Sequence, residues 1–375
     1  MKKIRIIAFE LQKSIGGIET FLINLYQNLD KKRFQLDFVT DVKNINELPY
    51  VQKLKGANIY TIPGAKNPVK YIKKINSIFD RGYDIAYFNK NSAANVLPIY
   101  LAKKNKNISK LIIHSHNTNP SRRNLFLVLL HYFNKRYLNN AGDAYIACSN
   151  NAGKWLFSDN TKFLVVKDGI NVKKFIFSEC NRVKIRDKYN ISISAMVIGF
   201  IGRFTQQKNL TRLVDIFYQI LKKKPETYLL LVGDGPEKQK LQNYVNHLKI
   251  QKHVFFVGEQ LNTSDYLSAM DVFVMPSIYE GLAISAIEAQ ASGSKVFISD
   301  KIPDEARIVP DVKVFNLSKS TESIANLIIN NSSKYESKID RMKKNKIVFD
   351  NYDIQQTVKD MEKVYINLVG GPNFE

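Results

Sequence analysis

Cysteine is scarce in this chain of 375 residues, which contains only Cys148 and Cys180. Two cysteines cannot build a disulfide scaffold, and their scarcity suits a reducing compartment. Long apolar runs are missing too, since no stretch reaches the ~18 residues that a membrane-spanning helix needs. Residues 1–11 are partly apolar, but Arg5 and Glu10 interrupt them and no small-residue cleavage site follows. We therefore expect a soluble protein of the cytoplasm.

Acidic side chains are also in short supply, because 34 Asp and Glu stand against 56 Lys and Arg and leave a formal net charge of +22. Residues 1–175 carry 29 basic and 11 acidic side chains, a net of +18, whereas residues 176–375 carry 27 and 23, a net of +4. A positive field attracts anionic surfaces, either nucleic acid or anionic lipid. No RNA-binding signature is legible, so we expect no nucleic-acid partner and favour a peripheral position on the inner face of the cell membrane.

Apolar and aromatic surface is plentiful, with 45% hydrophobic residues, 22 Phe and 19 Tyr. This composition excludes disorder as the main state and can supply a sizeable core. At roughly 100–200 residues per domain, the length favours two domains.

Short aliphatic runs alternate with longer helical patterns, which predicts βαβ units and parallel sheets. We predict strands at 4–9, 35–40, 57–62, 83–88, 110–115, 143–148, 162–167, 196–202, 228–233, 253–258, 271–276 and 294–299. The predicted fold class is α/β, with two Rossmann-like doubly wound domains facing a cleft. A polar linker at 170–195 separates an N-terminal domain, 1–170, from a C-terminal domain, 190–350, and a helix near 355–370 is expected to pack back on the first.

One segment, residues 121–140, places basic side chains on both sides of an apolar middle. These side chains are Arg122, Arg123, Lys135 and Arg136. The segment is typical of an interfacial helix that lies on a membrane. It also fits an ordinary amphipathic helix whose apolar face packs on its own domain, and we expect the latter.

Segment 278–293 is the most informative motif, because it follows a predicted strand and opens a predicted helix. Glu280 and Glu288 are eight residues apart, which is about 12 Å along a helix axis. Glycosidase carboxyl pairs lie roughly 5–9.5 Å apart, so this spacing disfavours direct hydrolysis and suits two carboxylates that bind different parts of one elongated ligand. The alternative is a carboxylate at a helix N-terminus beside a solvated one.

The three residues after Glu280 would offer backbone N–H groups at the helix N-terminus, where phosphate is favoured. They are Gly281, Leu282 and Ala283. A second loop, residues 199–209, contains Gly202, Arg203 and Lys208 between a strand and a helix. Glycine permits close approach of the backbone, while Arg supplies a planar fork and Lys a point charge, a suitable pair for a diphosphate.

Weaker glycine loops follow other predicted strands. Gly233 and Gly258 stand at strand ends suited to close ligand approach, and Glu259 could present backbone groups to a base, although a plain turn explains each loop equally well. Gly16 and Gly17 follow the first strand and could let backbone amides meet a phosphate or a sugar. The chain has no G-x-G-x-x-G fingerprint and no P-loop, which disfavours a dehydrogenase or a P-loop enzyme.

His114 and His116 lie at the carboxyl end of the strand predicted at 110–115. A His-x-His pair can bind a metal, but no third ligand is evident in the sequence nearby, so we expect none. A neutral histidine that donates or accepts a hydrogen bond is the favoured functional role for His116, and packing in the core is the alternative.

Taken in order, these motifs resemble those of the retaining family-four glycosyltransferases with the GT-B fold, and the resemblance covers nearly the whole chain. The matching pieces are Gly16-Gly17, His116, Arg203 with Lys208, Gly-Asp-Gly-Pro at 233–236, and Glu280 with Glu288. One departure is Asp168, because the chain reads Lys-Asp-Gly-Ile-Asn where such enzymes often carry Asn-Gly-[Ile/Val]-Asp. The His-Ser-His-Asn-Thr stretch is similar to that of members in capsule or exopolysaccharide assembly.

The resemblance implies a role for each motif. Arg203 and Lys208 would bind the diphosphate of a nucleotide sugar, UDP-sugar above all, and stabilise the leaving group. Glu280 would bind hydroxyls of the donor sugar and Glu288 those of the ribose, while His116 would contact the sugar near the reacting carbon. The paired glycines would shape the loop over the phosphates, and the N-terminal domain would bind a glycan or lipid-linked acceptor. The resemblance further implies front-side attack with retention and no metal or other cofactor.

Two alternatives stay open on the sequence alone. A nucleotide-sugar epimerase would keep the fold and change the chemistry. A basic nucleic-acid-binding protein would explain the charge of the first half without any catalysis.

Overall fold

The computed structural model describes residues 3–64, 67–118, 125–332 and 336–370. The chain divides into two compact units. Unit 1 comprises Met1–Gly169 with Ile354–Glu375, and unit 2 comprises Ile170–Asp353. Arg122 and Arg123 lie outside the described residues.

Unit 1 is built on a parallel sheet of seven strands in the order β3-β2-β1-β4-β5-β6-β7. The strands are β1 (Ile4–Leu11), β2 (Phe34–Thr40), β3 (Ile59–Thr61), β4 (Tyr83–Lys90), β5 (Ile108–Ser115), β6 (Ala144–Ala147) and β7 (Leu164–Val165). Ile6 and Ile7 are both fully buried although they face opposite sides of the sheet, so helices cover both faces. Ile6 pairs with Leu36 on one side and Ile85 on the other, which makes β1 central.

The helices of unit 1 come from both ends of the chain. They are α1 (Gly17–Asn28), α2 (Pro68–Phe79), α3 (Leu97–Lys104), α4 (Leu125–Leu138), α5 (Asn150–Leu156) and α13 (Ile354–Val369). Helix α13 buries Val358, Met361 and Tyr365 in the same core as strands β1, β2 and β4. The last helix is therefore an integral part of the first sheet's packing.

Unit 2 repeats the design with six parallel strands in the order β10-β9-β8-β11-β12-β13. The strands are β8 (Met196–Ile201), β9 (Thr227–Val232), β10 (Val254–Gly258), β11 (Val272–Met275), β12 (Lys295–Ser299) and β13 (Lys313–Phe315). The helices are α6 (Glu179–Lys188), α7 (Leu210–Lys223), α8 (Lys238–His247), α9 (Thr263–Ala269), α10 (Ile284–Ala291), α11 (Thr321–Asn331) and α12 (Lys338–Tyr352).

Each strand predicted from the sequence is present within two residues of its expected ends, and the α/β doubly wound class is confirmed. Strand β13 escaped prediction because it is only three residues long, Lys-Val-Phe, and carries no periodicity. Among the described residues, no helix combines the length and the apolarity that crossing a membrane requires.

The structure divides the chain at Gly169/Ile170, at the start of the predicted boundary stretch, but most of residues 170–195 is ordered structure of unit 2 and not a linker. Helix α6 buries Arg182 and Arg186, whose guanidinium groups lie 2.8 and 2.7 Å from the carboxylate of Asp271. Arg186 also donates to the backbone oxygen atoms of Ser192 and Ala195. Polar composition suggested a solvated connection, but here the basic side chains are internal partners of a carboxylate.

Helix α4 contradicts the expectation that its apolar face packs on its own domain. Phe126, Leu129 and Phe133 are 66%, 61% and 82% exposed, whereas the buried positions of the helix are His131 and Leu138. The helix thus presents much of its apolar surface outward.

We predict that Met361→Ala destabilises unit 1 by about 2–4 kcal/mol, because Met361 is fully buried in the core that α13 completes and its truncation leaves a cavity. Chemical unfolding followed by circular dichroism measures the change. Met342→Ala on α12, where the side chain is 49% exposed, is the matched control and should cost well under 1 kcal/mol. Equal losses in the two variants would show that α13 does not contribute to the core.

Candidate functional site

The order of strands in unit 2 reverses between β8 and β11, which lie side by side at the centre of the sheet. Loops that follow two such strands leave in opposite directions and open a crevice at the carboxyl edge, where open α/β sheets bind ligands. Residues 202–209 follow β8 and residues 276–283 follow β11. The two motifs that the sequence analysis singled out in unit 2 therefore meet at this point.

Lys208 and Glu280 form an ion pair at the reversal point. The Nζ atom of Lys208 lies 2.7 Å from Oε1 of Glu280, and the side chains are only 17% and 7% exposed. A charge-assisted bond in such a shielded position is stronger than a surface pair. The two residues that the sequence predicted as diphosphate and sugar ligands are thus within direct contact.

Gln207 joins the same two loops. Its amide Nε2 donates to the backbone oxygen of Tyr279 at 2.9 Å and to Oε2 of Glu280 at 3.3 Å, while its own backbone oxygen accepts from the N–H of Ile278 at 2.9 Å. The short 3₁₀ turn Gln206–Lys208 is therefore tied to the other loop on both sides of Lys208.

Arg203 differs from Lys208 in having no anionic partner. Its side chain is exposed, and its guanidinium forms no hydrogen bond or ion pair with the residues that the structure describes. An uncompensated guanidinium next to a glycine, Gly202, is a suitable donor for a planar anionic group such as a phosphate.

Helix α10 begins at Ile284, three residues later than the sequence suggested. Its N-cap, Ala283, adopts a left-handed conformation with φ 67°. The backbone N–H groups of Leu282 and Ala283 donate no hydrogen bond within the described part of the chain, so they are available to an anion at the positive end of the helix dipole.

The helical spacing assumed for Glu280 and Glu288 is wrong. Glu280 precedes α10 in an irregular loop, whereas Glu288 lies within the helix, so the rise of 1.5 Å per residue does not apply across the whole interval. The spacing argument against hydrolysis therefore loses its geometric basis. Glu280 is buried, and Glu288 is intermediate in exposure.

At two positions of the β9–α8 loop the structure itself requires glycine. A Cβ atom on Gly233 would lie 2.0 Å from the backbone oxygen of Gly202, and one on Gly235 would lie 2.4 Å from that of Phe204. Both glycines also have positive φ angles, 136° and 158°. Close backbone packing is therefore one reason for glycine at position 233, and its role in binding the donor stays a prediction.

The third glycine loop of unit 2 has a different environment. Gly258 has a φ angle of 82°, and a Cβ atom there would meet nothing within 4 Å. Its backbone oxygen accepts from the N–H of Gly233, and the next residue, Glu259, is exposed. This loop lies at the end of β10, farther along the sheet from the reversal point than the loops after β8 and β11.

In unit 1 the corresponding reversal lies between β1 and β4. The loop after β1 leads into α1 with Gly16 at the N-cap and Gly17 as the first helical residue. Glu19 fixes this loop, since its Oε2 accepts from the N–H of Gly16 at 2.9 Å and its Oε1 from the N–H of Gln12 at 3.1 Å. Burial raises the pKa of Glu19 to about 7, although the backbone donors favour the charged form.

His116 is positioned by two neighbours. The amide Nδ2 of Asn89 donates to the backbone oxygen of Phe9, which turns Oδ1 of Asn89 towards Nε2 of His116 at 2.9 Å. Nε2 of His116 must therefore carry a proton. The other nitrogen, Nδ1, lies 3.5 Å from Oδ2 of Asp168, and both side chains are almost fully buried.

His114 packs beside His116 with ring centroids 3.9 Å apart. Its Nδ1 contacts the hydroxyl of Tyr87 at 2.6 Å, and burial lowers the pKa of His114 well below its usual value, so the ring is neutral. His114 therefore has the surroundings of a residue packed in the core.

Within the described residues, three buried polar atoms of this cluster lack hydrogen-bond partners: Nε2 of His114, Nδ1 of His116 and Oδ1 of Asp168. The side chains offer ligand atoms within 4.8 Å of one another, close enough to share an ion. Asp168 is thus the third potential ligand that the sequence analysis did not find, because it lies 52 residues after His116 in the chain.

Sequence reasoning also missed Glu19, Asn89 and Gln207. A glutamate at the third helical position is a recognised capping signal and could have identified Glu19. Asn89 follows a predicted strand beside the one that carries His116, but an isolated amide gives no signal of its own.

The chain matches two family models. Residues 15–174 match the model described as Glycosyltransferase Family 4, and residues 181–349 match the one described as Glycosyl transferases group 1. Together the two matches span most of both units.

Individual proteins give the same result. The chain is 28% identical over 304 residues to the putative glycosyltransferase EpsF of Bacillus subtilis, covering 77% of each chain. It is 25% identical over 222 residues to an Escherichia coli UDP-Gal:alpha-D-GlcNAc-diphosphoundecaprenol alpha-1,3-galactosyltransferase, covering 58% of this chain and 57% of that enzyme. The crystal structure of Anabaena HepE in complex with UDP-glucose matches the fold with a TM-score of 0.79 at 16% identity, covering 96% of this chain and 98% of the other.

We predict that the stability of unit 1 responds to pH through Glu19. Because its pKa rises from 4.5 to about 7 on folding, its contribution is complete below pH 4.5 and is lost as the pH rises through about 7. Relative to Glu19→Gln, the free energy of unfolding of the wild type should fall by at most about 3 kcal/mol between these limits.

Denaturant titrations across this pH range measure the difference. The control is Glu47→Gln, because Glu47 pairs with Lys13 at the surface and is 46% exposed. Parallel pH profiles of the wild type and Glu19→Gln would contradict the assignment.

Proposed function

Since both of its halves match glycosyltransferase models, the chain belongs to the family-four glycosyltransferases with the GT-B fold, and we propose that it is a retaining enzyme of cell-surface polysaccharide synthesis. It transfers a sugar from a nucleotide-diphosphate donor to a glycan or lipid-linked acceptor. The observation that carries this proposal is the cationic site at the reversal point of unit 2, where Arg203, the Lys208–Glu280 pair and the start of α10 converge.

The chemistry of the site suits a leaving diphosphate. When the bond between the sugar and the diphosphate breaks, negative charge develops on the phosphate oxygens, and donors fixed in advance stabilise it. Arg203 offers an uncompensated guanidinium, and Leu282 and Ala283 offer backbone N–H groups. Lys208 shifts towards the incoming phosphate and releases oxygens of Glu280 to accept hydrogen bonds from the hydroxyls of the donor sugar.

The remaining assignments follow the resemblance. Glu288 binds the ribose hydroxyls, Gly16 and Gly17 shape the loop that meets the phosphates, and His116 contacts the sugar. In our proposal Asn89 and Asp168 hold the imidazole ring of His116 in the orientation that this contact needs. The acceptor oxygen attacks the face of the sugar from which the diphosphate departs, which preserves the anomeric configuration.

UDP is the proposed donor nucleotide. Two proteins similar to this chain support it, because HepE has been crystallised with UDP-glucose and the Escherichia coli relative is named for UDP-Gal. The diphosphoundecaprenol in the latter name supports a lipid-linked acceptor. Unit 1 binds the acceptor, and we place the protein in the cytoplasm, peripheral to the anionic inner face of the membrane.

We further propose that transfer needs no metal ion, because fixed cations and the dipole of α10 supply the positive charge at the diphosphate. Turnover with and without a chelator tests this point. Loss of activity on chelation, restored by a divalent cation, would contradict this point. The cluster of His114, His116 and Asp168 would then be the first candidate site for the ion.

The proposed function is tested with a panel of nucleotide sugars, by following release of nucleoside diphosphate with and without a membrane lipid extract. Release that depends on the extract supports transfer. An isomerised donor without any acceptor would indicate an epimerase. Salt-dependent binding of oligonucleotides without binding of any nucleotide sugar would indicate a nucleic-acid-binding protein.

We predict that Lys208→Ala and Glu280→Ala each lower kcat by about 10²–10³-fold, because each removes a group that acts on the diphosphate or on the sugar. Steady-state kinetics with a saturating donor measure the loss, and circular dichroism verifies the fold.

The matched control is Lys223→Ala, because Lys223 and Glu322 form a comparable ion pair, at 2.9 Å, on the surface of the same unit. The double variant Lys208→Met/Glu280→Gln separates catalysis from structure. If the pair were only structural, removing both charges would restore turnover. We expect the double variant to stay at least as impaired as either single variant.

A further inference from the structure

Helix α4 carries an exposed apolar stripe. Five side chains within nine residues are more than half exposed: Leu125 (74%), Phe126 (66%), Leu129 (61%), Tyr132 (61%) and Phe133 (82%). Their spacing of three, four and seven residues places them on neighbouring rows of one helix face. Single exposed apolar residues are ordinary, but a contiguous group of this size marks an interaction surface.

The opposite side of α4 fixes the helix to unit 1. The ring of His131 stacks on Trp155 at 3.9 Å with an angle of 4° between the planes, and its Nδ1 accepts from the N–H of Ala93 at 3.0 Å. Leu138 is fully buried near the end of the helix. Because His131 and Leu138 attach α4 to unit 1, the apolar stripe on the other side of the helix faces outward.

A polar pocket of about 610 Å³ adjoins the last two turns of α4. Its lining includes Tyr132, Lys135, Arg136, Asn139, Tyr145 and Lys162. Three of these side chains are cationic and none is a carboxylate. Tyr132 belongs to both the pocket and the stripe, so the two surfaces are continuous.

The cations of the pocket are arranged for an external anion. Nζ of Lys135 donates to the backbone oxygens of Lys154 and Trp155, which holds it in place. Arg136 and Lys162 are exposed, and neither forms an ion pair with the described residues. Two uncompensated cations beside one that is already oriented suit a phosphate group.

We propose that the stripe and the pocket together form a docking face for an anionic lipid bilayer, in which the pocket receives the phosphate of a phospholipid headgroup while the apolar side chains enter the interfacial layer. Interfacial helices bind in this way, through buried apolar area together with attraction between basic residues and anionic lipid. The net charge of +18 in residues 1–175 adds long-range attraction to the same surface.

The docking face specifies how the membrane expected in the proposed function is bound. The inference rests on that function for its biological purpose, but its test does not require the enzyme to turn over. The chemistry favours a bilayer over a nucleic acid, because leucine and phenylalanine side chains without interleaved donors dominate the stripe. A single-stranded nucleic acid would instead require aromatic and basic residues to alternate along a groove.

The first test measures sedimentation of the full chain with vesicles of phosphatidylcholine, alone or with three parts in ten of phosphatidylglycerol. We expect strong binding to the anionic vesicles only. Phe126→Ser/Leu129→Ser/Phe133→Ser should lower it at least tenfold. The matched control, Ile339→Ser/Met342→Ser, changes exposed apolar residues of unit 2 and should bind as the wild type does. Equal binding by both variants would overturn the proposal.

The second test separates the pocket from general charge. Arg136→Glu/Lys162→Glu should weaken binding to anionic vesicles by more than about 25-fold, since each basic residue near such a surface contributes about fivefold. Lys252→Glu/Lys359→Glu makes the same change in net charge at two exposed lysines elsewhere and should cost no more than about threefold. Equal losses of vesicle affinity in the two variants would show that the pocket contributes only its net charge, and would overturn its role as a phosphate site.

Trp155 allows a test on the unmodified protein, because it is the single tryptophan and its ring lies against α4. Phosphatidylglycerol vesicles with brominated acyl chains should quench its fluorescence, whereas soluble glycerol phosphate or inorganic phosphate should not. Quenching absent in vesicles would overturn docking through α4. Binding of phosphate or of an oligonucleotide without vesicle binding would reassign the pocket. UDP binding is measured separately. It shows whether the donor site of the proposed function fails, independently of the outcome for the docking face.

Discussion

Burial of both faces of two parallel sheets is the constraint on which the rest of this molecule depends. Adjacent strand residues such as Phe273 and Val274 are fully buried although they face opposite helical layers. The middle of such strands has no room for polar chemistry, so the polar groups described above lie at the carboxyl ends of the strands and in the loops that follow them. The reversal of strand order then selects which loops can meet a ligand. In unit 1 the loop after β1 carries Gly16 and Gly17, and in unit 2 the loops after β8 and β11 carry Arg203, Lys208 and Glu280.

A carboxylate organises the selected loops in each unit, but by different means. Glu19 accepts two backbone N–H groups of its own loop, and burial leaves it poised between its charged and neutral forms near pH 7. Glu280 bridges to Lys208 and Gln207 of a separate loop. The first arrangement shapes a backbone, whereas the second pairs two opposite charges that are largely shielded from water.

The sequence alone predicts the strands well, because runs buried on both faces are continuous and aliphatic. It fails where a residue's partner is distant in the chain. The polar stretch 170–195 resembled a linker because nothing local reveals that Arg186 is paired with Asp271. The orientation of α4 was misjudged for a similar reason: His131 finds its stacking partner, Trp155, on another helix. In the candidate site, residue type and position after a strand singled out Arg203 and Lys208, but the contact of Asp168 with His116 depends on the sheet and could not be read from the motif.

The return of α13 to unit 1 governs the order in which this protein can be completed during translation. Unit 2 is contained in one uninterrupted stretch, Ile170–Asp353, whereas unit 1 lacks Val358, Met361 and Tyr365 of its core until the final helix has been made. During synthesis, unit 2 can therefore be complete in sequence while unit 1 still lacks part of its core. Until α13 packs in place, the apolar core residues that it covers in unit 1 stay exposed to water.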